Sequence, residues 1–541
     1  MAGKTFLQGA VVLGAAGLII KIMGAVFRIP LANIIGDTGM GYYQTAYPVY
    51  VLLLTLSTAG VPVAISKMVA ERNALGHSYE AYRVFRISFA LLFTIGISSS
   101  AVLFFGAETI VNNLGNPGAK MAMMSIAPAL FFVPIMASFR GFFQGMQNMK
   151  PTAISQIIEQ LFRVTIGLTL AVLLVDQGLE YAAAGASFGA TAGAVAGLIA
   201  VAGMFLFYRR SVFKAISRPQ GEPGERSSSI LLQILVIAVP ITIGAAIMPI
   251  MNTIDVAIVI NRLTISGFTP EAANDLYGQL TGMAGPLINF PQVLTQAIAM
   301  SLVPAIAAAY KRREIDFLRY NVELGLRTSL ILGLPCALGL MTLAEPIMLL
   351  LYPAQKASAI SAAPSLFILS FGVIFLATVQ ILTGVLQGMG KQLIPVRNLA
   401  IGAVVKVILT HYLTAIPTVN IRGAAIGTVC AYIVASVLNL MAVRKYTGTR
   451  FDFRLTIVKP AVSGLVMSAV VFVIHRFLNV LFGNIIESIN MANALATGLA
   501  ILTGAVVYVF MLVATRAITS EELKLLPKGD KLIRIFSRFK K

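Results

Sequence analysis

Apolar residues run in long unbroken stretches, separated by short segments that hold most of the charge. Each stretch approaches the roughly 20 residues that a helix needs to cross a hydrocarbon core of about 30 Å. Barrel strands would instead alternate apolar and polar positions over about 10 residues, and these stretches do not alternate. Backbone N–H and C=O groups must be paired internally in lipid, so continuous apolar runs predict helices. Spans are expected at about 6–28, 43–66, 85–106, 121–139, 153–175 and 183–208, then, beyond a polar loop, at 230–260, 279–309, 325–351, 363–388, 398–416 and 424–443. Two more are expected at 460–480 and 491–515. The pattern predicts an all-α polytopic membrane protein with about 14 transmembrane helices.

A repeat organises these spans. GFFQGMQNMKPTAISQIIEQLFRV begins at Gly141, and GVLQGMGKQLIPVRNLAIGAVVKV begins at Gly384, an offset of 243. The pair shares G-x-x-Q-G-M and aligns Ile158 with Ile401, Arg163 with Lys406 and Val164 with Val407. GASFG at Gly185 answers GAAIG at Gly423 at an offset of 238, and VPVAI at Val61 answers VPAIA at Val303 at 242. Three matches in order at nearly one spacing imply two pseudo-symmetric six-helix lobes, 1–210 and 230–445. A cytoplasmic linker over 211–229 joins them, two extra helices occupy 455–516, and a basic cytoplasmic tail covers 517–541. Parallel repeats of this kind rock against each other around a site near the membrane midplane.

Composition agrees with a lipid environment: 58% of residues are hydrophobic, 11% are charged and the mean hydropathy is +0.86. A soluble chain carries roughly 25% charged residues. The net charge of +20 would suit nucleic acid if it were clustered. Its distribution gives another reading. With the N-terminus inside, 32 of the 41 Lys and Arg fall on one side, Arg140 among them, and only Lys120, Arg262, Lys356, Arg422 and Arg476 on the other. Positive charge collects on the cytoplasmic side of membrane proteins and is attracted there to anionic lipids. The expectation is a multi-pass protein of the bacterial cytoplasmic membrane, with both termini cytoplasmic and no nucleic-acid partner. Cys336 and Cys430 define neither a disulfide framework nor a metal spacing, and no cofactor is expected.

Charges inside spans are the candidates for chemistry, because each is costly unless it faces a cavity or a partner. Lys21 and Arg28 stand seven apart on one face of the first helix and suit a bound anion such as a diphosphate. Glu159 and Arg163 are spaced i,i+4 as an intrahelical pair, with Gln156 and Gln160 beside them. Lys406 answers Arg163 without a matching acid and is a second candidate cavity cation. Asp255, with Asn252 three residues earlier, could bind a coupling cation or a proton. The three histidines, His77, His411 and His475, are scattered, and Gly390-Lys391 lacks the rest of a phosphate loop. No nucleophile and base are brought together and no large outer loop is present, so an enzyme is not expected.

Several blocks resemble a known group: TFLQGAVVLGAAGLIIKIMGAVFR (5–28), GVPVAISKMVAE (60–71), RGFFQGMQNMKPTAISQIIEQLFR (140–163), EYAAAGA (180–186) and YGQLTGM (277–283). Together they are similar to the stage V sporulation B group and the MurJ-type flippases of the multidrug/oligosaccharidyl-lipid/polysaccharide exporter superfamily. That resemblance implies two lobes around a cationic cavity and a last helix pair forming a lipid-tail groove. It also implies outward flipping of undecaprenyl-diphosphate-linked saccharide, lipid II foremost, with cell-wall synthesis proteins as partners. Lys21 and Arg28 match the family's first-helix cations. Leu54 stands near the place of a second-helix arginine, and Tyr42 and Tyr43 stand where MurJ has an Asp. The alternatives are another polyprenyl-linked glycan or a cation-coupled multidrug exporter, which would have 12 spans and an acidic cavity. From a different class, a membrane glycosyltransferase or polymerase would need acidic residues in an outer loop.

Overall fold

A computed structural model of the chain describes residues 2–214, 225–449 and 451–517. Most of the expected linker and the basic tail beyond Ala517 lie outside the described residues. Among the described residues all regular structure is helical. In order the α-helices are α1 (Ala2–Thr58), α2 (Val61–Ala74), α3 (Ser78–Asn113), α4 (Lys120–Ile126), α5 (Ala129–Gly145), α6 (Lys150–Leu174), α7 (Leu179–Lys214), α8 (Ser227–Ile265) and α9 (Pro270–Gly278). They continue with α10 (Gly285–Arg312), α11 (Ile315–Thr342), α12 (Ala344–Leu351), α13 (Lys356–Gly388), α14 (Leu393–Leu413), α15 (Arg422–Thr447), α16 (Lys459–Gly483) and α17 (Ile489–Ala514).

Among the described residues, thirteen helical stretches are long and apolar enough to cross a membrane. The first of them contains a break at Gly36, where φ is 66° and ψ −171°. An L-residue with a side chain rarely adopts that conformation, so glycine permits the kink there that divides α1 into two helices. The count is then fourteen. Other spans begin or end differently from the apolar pattern. The second closes at Thr58, and α2 then carries Lys67 and Arg72 as a separate helix. A π-type turn over Gln279–Ala284 joins α9 to α10. Prolines 240, 249, 291 and 304 stand inside α8 and α10.

The chain divides into two compact units. One comprises Met1–Met283 with Ala415–Pro417, and the other comprises the remainder. α8 and α9 therefore pack in the first unit.

Each unit is assembled through glycines. Lipid tails are as apolar as leucine, so helices associate in a membrane where small residues allow close backbone contact. In the first unit a Cβ on Gly141 or Gly145 of α5 would meet the carbonyls of Pro62 and Ser66 of α2 at 2.9 and 2.8 Å. In the second unit the answering Gly384 and Gly388 of α13 meet α10 in the same way, against the carbonyls of Ala299 and Val303, both at 2.9 Å. The G-x-x-Q-G-M block is thus a helix-packing device, used once in each unit. Around the first copy, Phe85 sits among Phe139, Phe142 and Phe205, with ring centroids 5.1–5.2 Å apart.

Candidate functional site

Gly185, Gly189, Gly193 and Gly197 recur every fourth residue on α7 and turn one face toward α6. A Cβ on Gly189 would stand 2.5 Å from the Arg163 carbonyl, and one on Gly197 would stand 3.1 Å from the Glu159 Cβ. The absence of side chains on this stripe fixes where α6 lies and therefore where its charges point.

Those charges form a network with α5. Glu159 accepts from Arg163 Nη2 at 3.1 Å through Oε1, and from Arg140 Nη2 at 3.0 Å through Oε2. Arg140 also donates from Nε to Ser155 Oγ at 2.9 Å. All three charged side chains are 12–17% exposed. One carboxylate thus holds two guanidiniums, and the group keeps one net positive charge. The expected Glu159–Arg163 pair is present. Arg140 is a correction: it is no loop cation but a nearly buried member of α5, joined to a residue 19 positions on. Its proximity to the end of an apolar run concealed it, and only the shared acid reveals its role.

A row of tyrosines faces this network. Tyr43, Tyr47 and Tyr50 follow at i, i+4 and i+7 on the second half of α1. Tyr43 and Tyr47 stack with centroids 5.7 Å apart, Tyr47 and Tyr50 are 6.0 Å apart, and Phe27 meets Tyr43 edge-on at 6.3 Å. All three tyrosines lie in the electrostatic field of Arg163, and Tyr43 also in that of Arg28. Tyr50 Oη and Arg163 Nε are buried without a hydrogen-bond partner among the described residues. Each such atom costs about 1–3 kcal/mol, a cost that a polar ligand would relieve. The i, i+4, i+7 spacing of these rings was the signal available in the sequence.

The remaining candidates are spread more widely. Arg28 is half-buried and Lys21 exposed on the first half of α1. Gly24 and Phe27 between them pack on α6: a Gly24 Cβ would stand 3.6 Å from Gln160 Nε2, and Phe27 Cε2 stands 3.4 Å from where a Gly167 Cβ would lie. Asp255 is half-buried on α8, in the electrostatic neighbourhood of Tyr277 of α9, while Asn252 is exposed. Lys406 is half-buried on α14 of the second unit. Among the described residues no three His, Cys, Asp or Glu side chains gather as a metal site.

A second polar cluster in the first unit went unforeseen. It ties the bend at Gly36 to α9. Thr38 donates to Asp275 Oδ1 at 2.7 Å, Gln279 to Asp37 Oδ2 at 2.8 Å, and Asn274 Nδ2 to the Thr38 carbonyl at 2.9 Å. Asn116 donates to both Thr45 Oγ1 and Asn274 Oδ1, at 2.8 and 2.7 Å. Partners 71 to 242 residues apart give no periodic signal.

Comparison with known proteins places the architecture. A family model described as polysaccharide biosynthesis protein matches residues 6–310, more than half of the chain. The chain belongs to this family. A second model, MatE, matches residues 281–412. Stage V sporulation protein B of Bacillus subtilis (strain 168) is 29% identical over 98% of this chain and 100% of its own length. The Lipid II flippase MurJ of the same strain is 26% identical, over 93% of this chain and 94% of its own. Among solved structures, Lipid II flippase MurJ in an inward closed conformation superposes with a TM-score of 0.68 at 16% identity, covering 94% of this chain and 99% of that one. An inward-facing multidrug resistance MATE family transporter of the MOP superfamily gives 0.66 at 15%, covering 80% and 94%. These structures share the fold. Of these proteins, MurJ is named a flippase and the MATE protein a transporter.

Proposed function

We propose that the chain is a flippase that moves undecaprenyl-diphosphate-linked saccharide, lipid II foremost, from the inner to the outer leaflet by alternating access. The observation that carries this reading is the cationic wall of the first unit. Arg140, Glu159 and Arg163 keep one positive charge, and Lys21 and Arg28 on the neighbouring helix raise the total to three. A diphosphate is the complementary anion, and guanidinium forks suit its oxygens. Tyr47, half-buried beside Arg163, supplies a hydroxyl and a ring face for the sugar. Glu159 holds Arg163 in a fixed orientation, which lowers the ordering cost of binding.

In this reading both termini are cytoplasmic, the protein lies in the bacterial cytoplasmic membrane, and the polyprenyl tail stays in lipid while the headgroup crosses. Lys406 is the second-lobe cation of the path. Asp255 and Asn252 are the candidates for cation coupling. The membrane potential favours outward movement of an anion by about 2.3 kcal/mol per charge per 100 mV. The family description also favours a second cargo of the same chemistry, another polyprenyl-linked glycan.

The test is leaflet-resolved accessibility of lipid II in cells depleted of their own flippase. Wild type should restore outer-leaflet lipid II and Lys21→Ala should not. Wild type that is expressed and inserted but moves none would exclude lipid II as the cargo in that setting.

A further inference from the structure

The second unit holds a cavity of about 990 Å³ far along the sequence from the cation network. That size is at the upper end of the ~300–1,000 Å³ of small-molecule pockets. Its walls come from the end of α11 and from α12, α13 and α16, closed by the first residue of α15 and by Asn493 of α17. The chemistry of the lining is divided. One part is charged: Arg422, Arg476 and Glu345. The other is apolar: Ile360, Phe367 and Phe472. Ile360, Phe367 and Phe472 are themselves 49–52% exposed, so open apolar surface continues from the cavity.

The two arginines are the informative pair. They come from different helices, both are exposed, and among the described residues neither forms a salt bridge. Arg422 is also the first residue of α15, where the helix dipole is already positive and a cation is unfavourable. A fold that gathers two guanidiniums and a helix N-terminus around one cavity has a strongly anion-attracting site there. The walls are built rather than accidental. Asn493 is buried and donates to the Pro346 carbonyl at 3.1 Å, which fixes α17 against α12. His475 is engaged with Thr497 at 3.3 Å, which fixes α16 against α17.

We propose that this cavity binds an anionic glycerophospholipid. Its phosphodiester pairs with Arg422 and Arg476, a headgroup hydroxyl donates to Glu345, and its acyl chains leave along Ile360, Phe367 and Phe472. A soluble phosphate would use the arginines and leave the apolar wall without purpose. A neutral lipid would use the wall and leave two guanidiniums together without a counter-charge. Only an amphiphile with an anionic head uses both, and Glu345 favours a head that also carries a donor, as the glycerol of phosphatidylglycerol does. The site involves none of the residues proposed for cargo, so it stands or falls independently of the flippase reading.

The experiment is native mass spectrometry of the full-length protein in detergent, offered phosphatidylglycerol or phosphatidylcholine. Wild type should retain phosphatidylglycerol in preference, and the Arg422→Gln/Arg476→Gln double variant should lose that preference by about tenfold. Lys356→Gln, a change to a neighbouring cation outside the cavity, should leave it intact. A double variant that retains phosphatidylglycerol as wild type does overturns the proposal. So does loss of the wild-type adduct to millimolar inorganic phosphate, which would mark a soluble-anion site. A second measurement needs no variant: a phosphatidylglycerol bearing a photoreactive acyl chain should label wild-type peptides containing Phe367 or Phe472. Labelling confined to other peptides overturns the proposal equally.

Discussion

The helix pairs α6–α7 and α14–α15 are packed on one plan and carry different chemistry. In the first, glycines of α7 approach the Arg163 and Gly167 region of α6 closely enough that no side chain fits between. In the second, a Cβ on Gly427 of α15 would stand 2.7 Å from Thr410 Oγ1 and 3.1 Å from the Lys406 carbonyl. The polar residues beside these contacts then diverge. At the offset of 243, Ser155 is answered by Asn398, Glu159 by Gly402, Arg163 by Lys406 and Arg140 by Thr383. Arg140, Glu159 and Arg163 form a charged network in one unit. In the other, buried Asn398 donates to buried Asn439 at 2.9 Å, and Asn439 reaches Thr383 at 3.5 Å, a neutral buried amide pair in the corresponding place, approached only by the exposed Arg397, which donates to Asn398 Oδ1 at 3.4 Å. Close packing is what a membrane demands of both helix pairs, so it persists. The acid does not persist: Glu159 stands in one copy and glycine, Gly402, in the other.

The largest effect should come from removing the acid that only the first copy has. Glu159→Gln leaves two nearly buried guanidiniums facing each other without a counter-charge. Breaking a buried pair by removing one partner costs about 3–5 kcal/mol, and the 12–17% exposure of these side chains sets the lower end as the expectation. Thermal unfolding of the purified protein in detergent measures it. A loss below about 1 kcal/mol would place the network in the class of surface pairs and remove the contrast with the second unit.

Next come the glycines, where the two pairs should behave alike. Gly189→Leu forces side-chain atoms to within 2.5 Å of the Arg163 carbonyl, and Gly427→Leu to within 2.7 Å of Thr410 Oγ1 and 3.1 Å of the Lys406 carbonyl. Overpacking of this kind costs about 1–3 kcal/mol. Gly203→Leu, in open space on the same α7, should cost almost nothing. Unequal losses at Gly189 and Gly427 would show that the shared plan is a likeness of sequence and not of packing.

These contrasts were only partly visible in the sequence. The spans could be read because apolar runs near 20 residues have no other stable form in lipid. The repeat could be read because G-x-x-Q-G-M places two glycines on one helix face. Glu159 with Arg163 could be read because partners four apart meet on a helix. Arg140 could not, since its partner is on another helix. The tyrosine row at 43, 47 and 50 reads as apolar surface until the charge opposite is known. The Asp37, Thr38, Asn274 and Asp275 cluster depends on contacts between residues more than 230 positions apart. Local pattern carries elements and their packing faces; polar networks that join elements are a property of the assembled fold.

A smaller effect tests the neutral network. Asn439→Leu removes the acceptor for Asn398 and the donor to Thr383 while keeping similar volume. The cost expected is about 1–3 kcal/mol, the desolvation of the one amide left unpaired. Adding Asn398→Leu should recover part of it, because an apolar pair leaves neither buried amide unsatisfied, and the exposed Arg397 can turn to water. No such rescue is expected for Glu159→Gln, whose partners stay charged. Double-mutant cycles on unfolding compare the two networks directly, and equal rescue would erase the distinction between them.

The smallest effect concerns an ion pair of the first unit that lies outside the spans. Burial raises the Glu225 carboxyl, but hydrogen bonds from Arg72 at 2.6 Å and from Gln233, together with the Arg72 charge, outweigh it and hold the group below the usual glutamate range. A carboxyl with a lowered pKa adds stability above its unfolded value, near 4.3, and that stability is lost as pH falls through the lower folded value. Glu225→Gln should therefore destabilise at neutral pH, converge with wild type below about pH 4, and shrink further in salt. Partial exposure limits the loss at neutral pH to under about 1 kcal/mol. Set beside Glu159→Gln, this separates what an acid contributes at a wet helix end from what it contributes between two arginines within the helix bundle. If both changes cost the same and respond alike to salt, burial is not what makes the Arg140–Glu159–Arg163 group distinctive.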